Sequence, residues 1–316
     1  MEYIRACCFW PNEDVIKVNW EITGKCQLSC KHCLNKHRRE NAQITLKEAE
    51  GLIDDLAVHG IKRIILTGGE PLLFDGIFQV VNYAQAKGMT VSINTNGLLL
   101  DKHFLDLLCC ESVKIRIGLC GFSAQTHDEF TGRVGAFDQV INNILELLPY
   151  KAKISLQYTV TKKNIHELPE LFKFLKTHDL SAKLNDIIEV DDNAELSEYV
   201  VSQEEISQIV NSDVLQDKKY IDLIRPKKGK LQKCPAGKNI IGILSDGKIT
   251  PCSWISSFTS EYDSDSVKDV FGFPTELEKL FNHPLCSNCG VPGCGKGCVA
   301  VALKHQPSID PLCPVL

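Results

Sequence analysis

The chain has 316 residues, 44% of them apolar and 24% charged, with a formal charge of −5. That is a globular composition with room for one large α/β domain and a smaller companion, and it excludes disordered, collagen-like and coiled-coil readings. The lack of a basic surplus gives no reason to expect nucleic acid or an anionic membrane as a partner.

The N-terminus has no apolar core of a secretory signal, and no apolar run spans a bilayer, so a cytoplasmic location is expected. Fifteen cysteines in a reducing compartment read as metal ligands plus a few buried thiols.

Val15–Thr23 reads as a strand, followed by a cysteine-rich loop. Thr45 and Glu48 form a capping box ahead of a helix whose stripe is Leu46, Ala49, Leu52, Ile53 and Leu56. Ile61–Thr67 is a second strand, ended by a GGEP turn at Gly68–Pro71. A helix follows, with Leu73, Ile77, Val80, Val81 and Ala84 on one face. Then come strand Met89–Thr95, strand Val113–Leu119, helix Phe137–Leu148, strand Ile154–Val160, helix Ile165–Lys176 and strand Ala182–Val190. Six β/α repeats imply a parallel sheet with right-handed crossovers, which binds ligands at the C-terminal ends of its strands.

Residues 191–231 break the pattern, with an acidic start and a basic run at Lys227–Lys230, and read as one helix and a linker. Past it lie seven cysteines, many glycines and little helical periodicity. So few core residues call for metal. The expected organisation is 1–190, a partial (β/α)6 TIM-like barrel; 191–231, a helical linker; and 232–316, a small cysteine-rich domain.

Cys26, Cys30 and Cys33 form a C-x3-C-x2-C loop after the first strand. Three thiolates on one loop can hold three irons of a [4Fe–4S] cluster and leave the fourth open. A zinc site would want a fourth ligand, which His32 or His37 could supply. With this loop, the TGGEP turn at Thr67–Pro71, NTNG at Asn94–Gly97 and the segment His127–Asp138 all in order, the chain resembles the radical SAM superfamily.

The resemblance implies that Cys26, Cys30 and Cys33 bind the catalytic cluster and that S-adenosyl-L-methionine (SAM) chelates the open iron. Gly68 and Gly69 would let backbone approach the ligand, Glu70 would accept from its ammonium, Pro71 would stiffen the turn, and His32 would lie near the adenine. Thr67, Asn94, Asn96 and Gln157 complete the expected SAM site. The family commonly carries a serine where this chain has Gly118, and an acid or phenol at Cys120. A thiol there can donate hydrogen to a substrate radical, as an epimerase requires; its bland reading is a small buried residue.

The second set runs Cys234-x12-Gly247-x4-Cys252, then Cys286-x2-Cys289-x4-Cys294-x3-Cys298, then Cys313. It resembles the SPASM extension of radical SAM enzymes, with one gap a residue short. The resemblance implies two auxiliary [4Fe–4S] clusters, three clusters in all: Cys286, Cys289, Cys294 and Cys313 on the distal one, and Cys234, Cys252 and Cys298 on the proximal one. A zinc ribbon is the alternative.

The activity implied is reductive SAM cleavage to a 5′-deoxyadenosyl radical that abstracts hydrogen from an unactivated C–H bond. The auxiliary clusters would take the substrate electron. The expected substrate is a ribosomally made peptide, to be crosslinked, oxidised or epimerised. The alternative is an aminocyclitol or sugar. Too few residues precede Cys26 for a fused leader-binding domain, which points either to a small molecule or to a peptide delivered by a separate leader-binding protein; the expected electron donor is of flavodoxin or ferredoxin type. A non-enzymatic Fe–S carrier would have no use for an intact GGEP turn.

Overall fold

The computed structural model describes residues 16–35, 44–187, 194–202, 205, 234, 236–237, 239–255 and 258–262. Six strands run parallel in chain order: β1 (Lys17–Thr23), β2 (Arg63–Gly68), β3 (Thr90–Thr95), β4 (Val113–Leu119), β5 (Ile154–Val160) and β6 (Ser181–Asp186). Helices α1 (Leu46–Val58), α2 (Ile77–Ala86), α3 (Leu105–Leu108), α4 (Ala124–Thr131), α5 (Ala136–Leu147) and α6 (Leu168–Thr177) fill the crossovers. This is the open-barrel arrangement that the alternating periodicities imply.

On the free edge of β1, strand β7 (Ile240–Ile243) adds in parallel, followed by antiparallel β8 (Lys248–Thr250) and β9 (Ser260–Glu261). The β7–β8 turn closes at Gly247, whose φ of 83° is one that glycine adopts without strain. The start of the cysteine-rich region is thus joined to the barrel sheet. The remainder of that region, with Cys286, Cys289, Cys294, Cys298 and Cys313, lies outside the described residues, as does most of the linker.

Alternation along the strands separates two faces. Trp20, Ile22, Leu66, Ile93, Ile117 and Leu156 point one way and join the buried core beneath the helices. Each such side chain contributes roughly 1.5–3 kcal/mol on burial. The opposite, inner face carries Asn19 and Glu21 on β1, Ser92 and Asn94 on β3, and Ser155 and Gln157 on β5. A closed barrel of this class fills its inside with branched apolar layers; here the lining is largely polar, with Ile65 of β2 an apolar member.

Element starts shift where a cap outranks periodicity. The helix expected from Leu73 begins at Ile77, because Pro71–Leu73 forms a separate 3-10 turn capped by Glu70. Likewise α6 starts at Leu168 with Pro169 in its first turn, after a 3-10 turn at Ile165–Glu167. Helix α4, not anticipated, is capped by Ser123 and ended by Gly132 at φ 73°. Thr45 and Glu48 make the expected reciprocal capping box.

Candidate active site at the C-terminal mouth of the barrel

The loop bearing Cys26, Cys30 and Cys33 leaves β1 and docks on the end of α4. Ser29 N donates to Thr131 O and Lys31 N to Phe130 O, both at 2.9 Å. A side chain on Gly132 would meet Ser29 at 3.3 Å, so glycine suits that docking point. The His32 ring stacks on Phe130 with centroids 5.1 Å apart, and Tyr199 meets Phe130 edge-on. Lys31 Nζ donates to Glu129 Oε1 and Tyr199 Oη, each at 2.8 Å, tying the loop to the segment after β6.

All three thiols are half-buried. Cys26 Sγ accepts from Leu28 N at 3.5 Å and from Asn96 Nδ2 at 3.9 Å. Burial lowers the His32 pKa to about 4, so its imidazole is neutral. Gln27 Oε1, His32 Nδ1 and Asn94 Oδ1 are buried without partners. Buried polar atoms are normally satisfied, so the unmet Gln27 and His32 atoms fit a polar ligand beside the loop. The donor set fits an Fe–S cluster, whose irons are held by cysteine thiolates. His37, the other residue that a zinc site could use as its fourth ligand, lies outside the described residues.

The GGEP turn is stapled to the base of this loop. Gly69 N donates to Thr23 O and Glu70 N to Lys25 O, both at 2.7 Å. Asn35 Nδ2 donates to Gly68 O at 2.7 Å. A Cβ on Gly68 would lie 2.3 Å from Thr23 O, and one on Gly69 2.0 Å from Lys25 O. The two glycines therefore admit the chain's own backbone, a use that the sequence does not separate from approach to a ligand.

Glu70 is fully buried and serves its own chain. It accepts from Leu72 N at 3.0 Å, Thr95 Oγ1 at 2.7 Å and Asn96 N at 2.8 Å. Pro71, also buried, opens the turn it caps. Desolvation raises the Glu70 pKa from 4.5 to about 7 despite these bonds. Between those values the folded chain holds a proton that the unfolded chain has lost, so stability falls as pH rises through this window. The effect amounts to roughly 3 kcal/mol at most. Urea midpoints of the metal-free protein should fall from pH 5 to pH 8, with a shallower slope in Glu70→Gln; equal slopes would contradict this.

Cys120 directly follows β4 and is buried among Phe130, Ile187, Leu196 and Tyr199. Burial raises its pKa well above the ordinary thiol value, with Cys30 adding in the same direction, so it is a neutral thiol. Its backbone is clamped: Cys120 N donates to His127 Nδ1 at 3.3 Å, and Asn164 Nδ2 donates to Cys120 O at 2.8 Å. Next to it, the Glu167 carboxylate accepts from Phe122 N, Ser123 Oγ, Thr126 Oγ1 and Tyr158 Oη. Sequence reasoning missed this framework, because Glu167 and Asn164 lie some forty residues from the turn they hold. Asp128, within the recognised His127–Asp138 segment, accepts from Gly135 N and Phe137 N and so caps α5.

Thr67 and Gln157 are both half-buried. The strand registers put them on the inner face with Asn94, and Gln157 Oε1 accepts from Asn185 Nδ2 at 3.0 Å. The mouth thus gathers the cysteine loop, the glycine turn, Asn96 and Cys120. The radical SAM superfamily profile matches residues 20–175, the span that carries all of these.

The chain belongs to the radical SAM superfamily.

Its relatives extend that finding. An AdoMet-dependent heme synthase of Methanosarcina barkeri (strain Fusaro / DSM 804) is 32% identical over 162 residues, covering 50% of this chain and 46% of the relative. The antilisterial bacteriocin subtilosin biosynthesis protein AlbA of Bacillus subtilis (strain 168) is 26% identical over 279 residues, covering 85% of this chain and 60% of AlbA. The chain spans about half the length of the heme synthases it matches. Among solved radical SAM folds, native anSMEcpe with bound AdoMet superposes with a TM-score of 0.70 at 16% identity, over 90% of this chain and 89% of that one. Streptococcus suis SuiB bound to precursor peptide SuiA gives 0.69 at 16%, over 95% and 76%. At such identities the likeness concerns the fold.

Of the second cysteine set, the described members are Cys234 and Cys252, both half-buried. Cys252 follows β8, and its carbonyl accepts from Ile255 N at 2.7 Å. No helix among the described residues is long and apolar enough to cross a membrane.

Proposed function

We propose that the chain is a SPASM-type radical SAM maturase acting on a ribosomally made peptide. The observation that carries this reading is the polar inner face of the barrel, opening beside a three-cysteine loop with unsatisfied buried polar atoms. A largely polar barrel interior suits a peptide segment better than a packed apolar core does. The relatives lean the same way: the match to the subtilosin biosynthesis protein runs through 85% of the chain, whereas that to the heme synthase stops at 50%. SuiB, of the same fold, is seen with its precursor peptide.

The cluster on Cys26, Cys30 and Cys33, with SAM bound, would supply a 5′-deoxyadenosyl radical that takes a hydrogen atom from an unactivated C–H bond, and two auxiliary clusters would accept the electron left behind. The chain's own part is placement. The stapled Gly68–Glu70 turn and Asn96 hold the mouth rigid, His32 offers a neutral aromatic face, and Asn94 and Gln157 present amides inside the barrel. Cys234, Cys252, Cys286, Cys289, Cys294, Cys298 and Cys313 would hold the auxiliary clusters. A flavodoxin- or ferredoxin-type protein would deliver the electron, and a separate protein could present the leader.

Cys120 decides between outcomes for the substrate radical. Its neutral thiol, carried on a backbone held by His127 and Asn164, would return a hydrogen atom. If the reaction is an epimerisation, Cys120→Ala should keep SAM cleavage within about threefold while epimer formation falls by roughly 100-fold or more. Unchanged product would make Cys120 a packing residue. The substrate class is tested by adding separate dialysable and retained fractions of a source extract to the reduced, SAM-loaded protein. Stimulation of 5′-deoxyadenosine release by the retained fraction alone supports a peptide or protein. Stimulation by the dialysable fraction alone supports a small molecule and contradicts the reading.

A further inference from the structure

The buried Glu70 carboxylate starts a chain of hydrogen bonds that ends on a thiol of the cysteine loop. It accepts from Asn96 N at 2.8 Å and from Thr95 Oγ1 at 2.7 Å. Thr95 Oγ1 in turn accepts from Gly97 N at 3.0 Å. The backbone just past β3 is thereby held on both sides of Asn96. The Asn96 side chain is oriented as well: its Oδ1 accepts from Leu98 N at 3.0 Å and from Gln27 Nε2 at 3.5 Å. An amide whose oxygen faces two N–H donors turns its own NH2 the other way. Here that direction holds Cys26 Sγ, 3.9 Å from Asn96 Nδ2. Leu28 N reaches the same sulfur at 3.5 Å.

We propose that Asn96 is a positioning residue for the reduction step: its amide N–H, aimed at Cys26 Sγ, raises the reduction potential of the cluster that the cysteine loop would hold. The proposal rests on the radical SAM reading of that loop. Reduction adds one negative charge to an Fe–S cluster, and hydrogen bonds to the ligand sulfurs are among the levers that set its potential. A donor already in place stabilises the reduced state more than the oxidised one, and it needs no rearrangement when the electron arrives. Cys26 and Asn96 are both half-buried, where a dipole acts on a charge more strongly than it does in water. The donor has little freedom to leave, because Glu70 fixes the backbone while Leu98 and Gln27 fix the amide. Asn96 belongs to the SAM site expected from sequence, yet this contact with a cluster ligand requires no SAM. The GGEP turn thus acts on the cysteine loop twice, through its backbone staples and through Asn96.

The experiment is a potentiometric titration of the full chain, reconstituted anaerobically and kept free of SAM, read by electron paramagnetic resonance. The signal of the loop cluster is the one missing from Cys30→Ser. Two replacements remove the donor and keep an oxygen that can accept from Leu98 N. In Asn96→Ser the side chain is too short to reach the sulfur. In Asn96→Asp an oxygen replaces the NH2. At a fixed ambient potential the ratio of reduced to oxidised loop cluster should fall about tenfold in Asn96→Ser, a shift of about 59 mV for one electron. It should fall further in Asn96→Asp, whose carboxylate adds negative charge. Iron content and the urea midpoint of the metal-free Asn96→Ser should match the wild type, which a purely structural role would not predict alongside a shifted potential. An unchanged potential in Asn96→Ser would overturn the inference, whatever the charge in Asn96→Asp does. Loss of the loop cluster from both variants would make Asn96 an assembly residue and overturn it too. A wild type without any loop-cluster signal would instead defeat the radical SAM reading, and the inference with it.

Discussion

Gly68→Ala is expected to destabilise the fold by about 3 kcal/mol or more, read as a large drop in the urea midpoint. Two independent penalties coincide there. The backbone φ is 131°, where side-chain-bearing residues are strained, and the new methyl would sit 2.3 Å from Thr23 O. Relief would require the turn to move off the base of the cysteine loop, breaking the bonds from Gly69 N to Thr23 O and from Glu70 N to Lys25 O. SAM affinity should fall along with stability. Gly51→Ala supplies the contrast. Gly51 is in α1 with nothing within 4 Å of its Cβ position, so the exchange should stabilise by about 0.5–1 kcal/mol. Equal behaviour of the two variants would contradict the stapled turn.

The second large effect concerns the loop itself. Single replacement of Cys26, Cys30 or Cys33 by serine should remove the catalytic cluster and lower 5′-deoxyadenosine formation by at least about 1,000-fold. Iron content and charge-transfer absorbance should drop by one cluster's share, with the auxiliary share unaffected. Cys109→Ser is the control, since that thiol is exposed and bonded to Tyr150 O at the far end of β4. Loss of cluster in Cys109→Ser, or its retention in the loop variants, would reassign the ligands.

The parts of this molecule legible in sequence are those written in local periods. Strands β4 and β5 carry a strict alternation and appear at their expected limits, and α1 opens on a capping box and starts after Thr45 as expected. The cysteine loop was legible because ligands must cluster in sequence to share one short loop. The GGEP turn was legible as a feature but not as to purpose: only the proximity of Thr23 and Lys25 shows that its glycines admit backbone. Long-range hydrogen bonds had no local signature. Asn35 reaches Gly68, Asn164 reaches Cys120, and Glu167 gathers four donors from the turn after β4, from α4 and from β5. Each is an ordinary polar residue in an ordinary polar stretch.

The most direct test of the account is anaerobic. The chain is reconstituted with iron and sulfide, reduced with a strong one-electron donor and given SAM, and 5′-deoxyadenosine and methionine are quantified against the Cys30→Ser variant. The account predicts equimolar release of both products by the wild type and none above background by the variant. Absence of 5′-deoxyadenosine from a fully reduced, SAM-binding wild type would contradict it and leave the barrel as an Fe–S protein without radical chemistry.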